Sequence, residues 1–384
     1  MVLSARSRAP EFKRIAGVST DAERELKEVL AHYDLGSLAD VEKNTRGFVN
    51  TAYRITTVRS ALRRSYFLRK YRPGIREEEL QFEHSLIEHL SNNGTCPVAR
   101  LHKTLAGTTY LHRMPGPGEK HDAFYAIFDL LPGEDRYTWI GPECTDRELE
   151  ASAETLAQFH CAVSGFTPAG RRAEPKIIEL LPTIEEYWRS CPAKAKGNAF
   201  DALAVQALES VSASLEGVRA RLSLADAALM PEMVIHCDFH PGNLKFEGER
   251  VCGLFDFDWS KVDWRAFDVA LAVWYFCASW GAEDDGQLRM DKAALFLESY
   301  QKVMRQEPGA GALSLREMSH FPDLIQVANL YILHWGVVDY YTKDVDPEEY
   351  LVFLQHGVLF TTWFEVPGTR AGLEKMCNSL ARRS

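Results

Sequence analysis

The sequence lacks the features that mark many protein classes. Its 8 cysteines are scattered, with no C-x-x-C pair and no metal-ligand spacing, so reduced, buried thiols are expected rather than a disulfide framework or a zinc site. No apolar run is long enough to cross a bilayer; Val269 to Ala278, among the longest, suits a buried helix, and no membrane role is expected. Arg6, Arg8, Lys13 and Arg14 are followed by no apolar segment, which argues against a secretory leader and for the cytosol. Excess positive charge is missing too. The formal net charge of -10 argues against nucleic acid as a general partner, because phosphate backbones are bound by basic surface. There is no G-x-G-x-x-G, no G-x-x-x-x-G-K-S/T, no internal repeat and no low-complexity segment. What remains is a chain of 384 residues, 46% hydrophobic and 26% charged, long enough for two lobes with a buried core.

The informative stretch runs from Val234 to Trp259. Within it His236, Asp238 and Asn243 form H-x-D-x-x-x-x-N, and Asp256 and Asp258 form D-x-D after a second short apolar run. This is the spacing of a phosphoryl-transfer loop followed by a metal-binding turn. The transition state of that reaction is stabilised mainly by positioning and electrostatics, so it needs a carboxylate beside the acceptor hydroxyl and hard oxygen donors for magnesium. Asp238 is the candidate catalytic base, and Asn243 and Asp256 are the candidate Mg2+ ligands. His236 reads as a structural ring that shapes the loop. Pro241-Gly242 interrupts regular structure, and Val251 to Phe255 reads as a strand delivering Asp256. Each residue alone could be an ordinary turn or strand end; the combination and order point to chemistry.

His-Cys-Asp-Phe-His-Pro-Gly-Asn and Phe-Asp-Phe-Asp resemble the H-G-D-x-H-x-x-N and I-D-F/W-D motifs of the aminoglycoside phosphotransferase and choline kinase superfamily. Within it, Asp-Phe-His-Pro-Gly-Asn most resembles the bacterial homoserine kinases of this fold. Cys237 stands where the motif has glycine. The resemblance covers about residues 40 to 300. It implies an α/β (α+β), protein-kinase-like fold of two lobes, with a small antiparallel-sheet N-lobe and a mainly helical C-lobe. The expected division is a loose arm over 1–18, a nucleotide-binding lobe over 19–133, and a helical lobe with the catalytic loop and substrate site over 134–384.

Further residues follow from the resemblance. Gly47, Asn50 and Thr51 would lie over the nucleotide phosphates. A strand over Ser65 to Tyr71 would carry a cation to the α- and β-phosphates. Arg69 and Lys70 are both candidates, but strand neighbours face opposite sides, so only one can serve. Glu83, on a helix over Glu77 to Ser91, would pair that cation. Asp129, Leu130 and Leu131 would form the hinge that takes the adenine edge. Asp268 would anchor the catalytic loop, and Asp258 is read as structural. Helices are also expected over Ala202 to Leu222, 290–304 and 323–342.

The function implied is transfer of the γ-phosphoryl of ATP, with Mg2+, to a hydroxyl of a small polar metabolite, a homoserine-like amino alcohol or a sugar. One alternative is an aminoglycoside-type antibiotic phosphotransferase, which would need several converging carboxylates; Asp258, Asp263, Glu283, Asp284, Asp285 and Asp339 are candidates. Another is a pseudokinase-like regulatory protein that binds nucleotide. A protein kinase is disfavoured, because no D-F-G is followed by an A-P-E segment. For a homoserine-like acceptor, Lys261 or Arg265 would meet the carboxylate.

Overall fold

The structure is a computed structural model, and it describes residues 19–44, 49–116, 118, 120–222, 228–281, 283–306 and 309–382. The arm over 1–18 and Gly47 lie outside these residues. The chain folds as a mixed α/β protein with a sheet-based N-terminal lobe and a helical C-terminal lobe.

The N-terminal lobe is a five-stranded antiparallel sheet in the order β1-β2-β3-β5-β4. Its strands are β1 (Ser37–Asn44), β2 (Thr51–Arg59), β3 (Leu62–Lys70), β4 (Leu111–Arg113) and β5 (Ala123–Asp129). Alternation sorts their side chains onto two faces. Tyr66, Leu68, Tyr125 and Ile127 pack with Leu26, Val29 and Leu30 of α1 (Thr20–Leu30). Phe124, Ala126 and Phe128 pack on the other side with Leu80, Phe82, Leu86 and Leu90 of α2 (Glu77–Asn93). Ser19 caps α1, its Oγ accepting from the Ala22 N–H at 3.2 Å.

Residues 130–134 leave this sheet and dock on the second lobe, where Glu134 exchanges backbone hydrogen bonds of 2.9 and 3.1 Å with Phe246. Gly133 makes the turn at φ +88°, and a Cβ there would lie 2.3 Å from Cys252 Sγ. Both the left-handed backbone and the close approach require glycine.

The helical lobe contains α3 (Asp146–Ala162), α4 (Ile177–Ser190), α5 (Ala199–Arg221), α6 (Arg265–Cys277), α7 (Met290–Gln306), α8 (Leu315–Thr342), α9 (Pro347–Glu365) and α10 (Thr369–Arg382). Every residue of α6 is buried, in keeping with its apolar sequence. Two small antiparallel pairs complete the lobe: β6 (Glu232–Ile235) with β9 (Lys261–Trp264), and β7 (Leu244–Glu247) with β8 (Arg250–Leu254). Asp238 and Asn243 lie between β6 and β7, and Asp256 follows β8. α8 starts at Leu315, earlier than periodicity suggested, because Ser314 and Glu317 form a capping box and the helix continues through Pro322.

Gly133→Ala is expected to destabilise the protein by about 1 kcal/mol or more, since the native φ is unsuited to a side chain and the space is filled. Urea unfolding would measure it; an unchanged midpoint would mean that the linking segment can take another path.

Candidate active site

The candidate catalytic loop is hung from one buried carboxylate. Asp268 of α6 accepts the His236 N–H at 2.9 Å, the Cys237 N–H at 2.7 Å and His160 Nε2 at 3.1 Å. His160 is buried and also meets the Tyr300 hydroxyl at 2.7 Å through Nδ1, so it is a packed core histidine. The His236 ring reaches the Phe255 carbonyl at 3.2 Å, tying the loop to the segment that carries Asp256; burial lowers its pKa and keeps it neutral. Cys237 takes φ +62°, the left-handed region where the motif's glycine would be unstrained. Its side chain is buried beside the Tyr331 hydroxyl, and desolvation pushes its thiol pKa well up.

Asp238 projects from this loop into the cleft. Its Oδ1 accepts the Tyr275 hydroxyl at 2.9 Å and its Oδ2 accepts Asn243 Nδ2 at 3.1 Å. His240 Nε2 stands 3.6 Å from Oδ2, while His240 Nδ1 accepts the Gly242 N–H at 3.0 Å. Desolvation would raise the Asp238 pKa, but His240, His236 and the Tyr275 hydrogen bond outweigh it, and the pKa is lowered. The group is a carboxylate at neutral pH. Asn243 Nδ2 also donates to the Asp238 carbonyl at 3.0 Å, which leaves the amide oxygen as the atom able to ligate a cation.

Facing this loop is an excess of acid. Arg69 of β3 is buried and donates through Nη1 to Glu83 Oε1 at 3.0 Å and to Asp258 Oδ1 at 2.7 Å; its Nη2 stands 3.7 Å from Asp256 Oδ1. Asp256 has φ +67°, and its Oδ1 is a buried oxygen with no hydrogen-bond partner. Desolvation in the cleft, then the charges of Asp258, Asp238 and Glu83, overcome Arg69 and push Asp256 up to about 7. Glu83 is pushed up to about 7 as well, by burial and by Asp258, against Arg69 and Arg172. A non-glycine residue held in the left-handed region with an orphaned carboxylate oxygen marks a position arranged for a cation. Among the described residues no group of three or more His, Cys, Asp or Glu side chains could hold a metal ion. The Asn243 amide oxygen and the Asp256 carboxylate are oxygen donors of the kind that suits a hard cation such as Mg2+.

The sheet puts Arg69 and Lys70 on opposite faces. Strand alternation turns Arg69 toward α2 and the cleft, whereas Lys70 lies on the opposite face, bound to Glu25 of α1 at 2.6 Å. Lys70 does not line the cleft, and neither does Thr51. Asn50 does; its Nδ2 donates to Asp258, and its Oδ1 accepts the Arg72 N–H at 2.9 Å. Asp258 thus bridges Arg69 and Asn50. At the hinge the Asp129 N–H is already taken by the Arg100 carbonyl at 2.9 Å, and its carboxylate is held by His102 at 2.7 Å. Leu130 and Leu131 line the cleft, and their backbone groups make no hydrogen bond with the described residues.

The cleft, about 740 Å3, continues past Asp238 into the helical lobe, where aromatic residues including Trp139, Tyr275, Trp280 and Tyr350 line it. Tyr275 and His240 hold Asp238, a role that spacing did not reveal, because Tyr275 sits in the apolar part of its helix, after Asp268, and reads as core. Lys261 and Arg265 are not available to an acceptor carboxylate, contrary to expectation. Lys261 is buried between Glu174 and Asp263, each at 3.2 Å, and Arg265 is buried with its Nε 2.7 Å from Glu317 Oε1 and its Nη groups on the carbonyls of Ala310 to Ala312. Buried cations are paired in this way because an unpaired charge in the interior is costly. Of the six acids considered for a polycationic acceptor, only Asp258 and Asp339 line the cleft, and each has a partner, Arg69 and Lys343 respectively.

A sheet lobe joined by a short hinge to a helical lobe, with an ionised aspartate and an acid-rich cation position facing each other across the cleft, defines a kinase-like phosphotransferase acting on a hydroxyl. The chain belongs to the phosphotransferase enzyme family APH, whose profile matches residues 40–303. The homoserine kinase of Xanthobacter autotrophicus is 28% identical over 343 residues, covering 87% of this chain and 94% of that protein. The homoserine kinase of Methylobacterium nodulans is 29% identical over 330 residues, covering 84% and 89%. Among solved structures, a microcompartment-associated aminopropanol kinase superposes with a TM-score of 0.63 at 16% identity, covering 91% of this chain and 98% of the other. A choline kinase from Cryptosporidium parvum gives 0.57 at 12% identity, covering 87% and 91%. These neighbours share the protein-kinase-like fold. Among the described residues no helix is long and apolar enough to cross a membrane.

Glu83 and Asp256 both bind protons more tightly in the folded chain than at their ordinary values of 4.5 and 3.8. Their contribution to stability is complete below that ordinary range and is lost as pH rises through about 7. The melting temperature of the ligand-free protein should therefore fall from about pH 4 to about pH 7 and level off above that, and Asp256→Asn should flatten the fall. An equal slope in that variant would place the dependence elsewhere.

Proposed function

We propose that the protein transfers the γ-phosphoryl group of MgATP to the hydroxyl of a small amino alcohol. The observation that carries this reading is the Asp238 carboxylate, kept ionised at the cleft floor by Tyr275, Asn243 and His240. In the reaction the acceptor oxygen bonds to the γ-phosphorus as the bond from that phosphorus to the bridging oxygen breaks. ADP leaves with the electron pair, and the hydroxyl proton passes to Asp238. Arg69, oriented by Glu83 and Asp258, would meet the α- and β-phosphates, and the backbone of Leu130 and Leu131 would take the adenine edge. Asn243 and Asp256 would hold Mg2+, which when bound neutralises phosphate charge.

The amino-alcohol class rests on the two homoserine kinases that align over nearly the whole chain. Against a polycationic aminoglycoside stands the pairing of cleft acids with cations of the chain itself, Asp258 with Arg69, Asp339 with Lys343 and Asp135 with Lys245, since several buried ammonium groups would each need a carboxylate of their own. A phosphorylation panel of homoserine, ethanolamine, a ribose derivative and kanamycin tests the class: turnover of kanamycin alone would overturn it, and no turnover of any alcohol would favour the pseudokinase.

Asp238→Asn should lower kcat at least about 100-fold while leaving ATP affinity close to wild type, as for loss of a general base. Unchanged turnover would remove Asp238 from that role. Asp256→Ala should abolish the metal dependence of nucleotide binding in calorimetry; if that dependence survives, the cation sits elsewhere.

A further inference from the structure

The chemistry above uses the cleft only as far as Asp238 and Tyr275. The same cavity runs on between α8 and α9. Among its lining residues Asn329, Leu333 and Gly336 recur at helical spacing along α8, and Tyr350, Leu354 and Gly357 do so along α9. At its closed end the helices touch: a Cβ on Gly357 would lie 2.4 Å from Leu333 Cδ2, and Asn329 Nδ2 donates to the Gly357 carbonyl at 3.0 Å. At Gly336 they part, and a Cβ there would meet no atom within 4 Å.

Gly336 is the telling residue. It lies inside a helix of 28 residues and has no left-handed backbone, so its conformation does not call for glycine. Nothing packs against it, so close approach does not call for glycine either. Glycine weakens a helix interior relative to almost any other residue except proline, and here it leaves open space that a side chain would occupy. Leu333, Tyr350, Phe353 and Leu354 line that cavity, together with Asn329 and Glu349. Asp339, at its mouth, is neutralised by Lys343 at 2.8 Å, so no uncompensated cation faces an acceptor carboxylate there.

We infer that the chamber over Gly336 receives an apolar substituent of the acceptor, which makes the substrate class a 2-amino alcohol bearing an aliphatic or aromatic side chain rather than a carboxylate. The hydroxyl meets Asp238 and the substituent lies between α8 and α9. This inference rests on the phosphotransferase reading and narrows it.

The test uses the full chain with MgATP and four acceptors: alaninol, leucinol, phenylalaninol and homoserine, with ADP release as the readout. kcat/KM should rise from alaninol through leucinol to phenylalaninol, by up to about fourfold for each methylene buried, and homoserine should fall below leucinol. A flat or falling series, or homoserine as the best acceptor, overturns the inference and leaves the phosphotransferase reading standing. No turnover of any alcohol removes that reading and this inference with it. Gly336→Leu should fill the chamber and cut the preference for phenylalaninol over alaninol at least about tenfold, a loss of the order expected for excluding two or more buried methylenes. Because leucine forms helix better than glycine, the variant should melt no lower than wild type. An unchanged preference in a folded Gly336→Leu protein overturns the inference, and if that variant does not fold, the wild-type series decides.

Discussion

The site depends on one buried carboxylate. Asp268 sits on a helix whose residues are all buried, where an isolated charge would be prohibitively costly. Its cost is offset by two backbone N–H groups of the catalytic loop and by His160, and those same donors fix the loop's path. Satisfying Asp268 and positioning Asp238 are therefore one requirement. The left-handed Cys237 turns the chain directly after these two anchored amides, and the residue that follows the turn is Asp238, which lines the cleft.

On the other side of the cleft the arrangement is deliberately unbalanced in charge. Glu83, Asp256 and Asp258 surround Arg69, with Arg172 3.9 Å from Glu83. Hydrogen bonds keep Arg69 extended across the lobes, joining a strand of one to the turn of the other. The surplus acid is concentrated at Asp256, whose orphaned oxygen and left-handed backbone are the kind of stored cost that a bound cation relieves. In the helical lobe the charges are matched instead, with Lys261 and Arg265 paired to acids inside the core.

Much of the candidate site's local geometry could be read from spacing. H-x-D-x-x-x-x-N spans only eight residues, and a loop that short holds Asp238 and Asn243 within 3.1 Å of each other once it is anchored. Strand and helix periodicity was equally legible: Tyr66, Leu68, Tyr125 and Ile127 alternate onto one face of the sheet, and α2 begins at the Glu77 that its sequence suggests. Residues whose meaning lay in distant partners were harder. The resemblance places Asn50 over the nucleotide phosphates, yet its amide is bound to Asp258 from the other lobe. Tyr275 reads as core, yet its hydroxyl ends on Asp238.

The pattern of apolar residues, the short motif around Asp238 and the alternation on β3 were thus written in the chain itself, because each depends on neighbours a few bonds away. Arg69 or Lys70 was a question of which sheet face meets α2, and that depends on packing with a helix of its own lobe. Lys261 and Arg265, placed beside the metal turn in sequence, were drawn away from it by Glu174, Asp263 and Glu317. Their fate turned on the cost of burying an unpaired cation, and the acids that meet that cost come from segments far along the chain, brought near only when the helical lobe closes around its core.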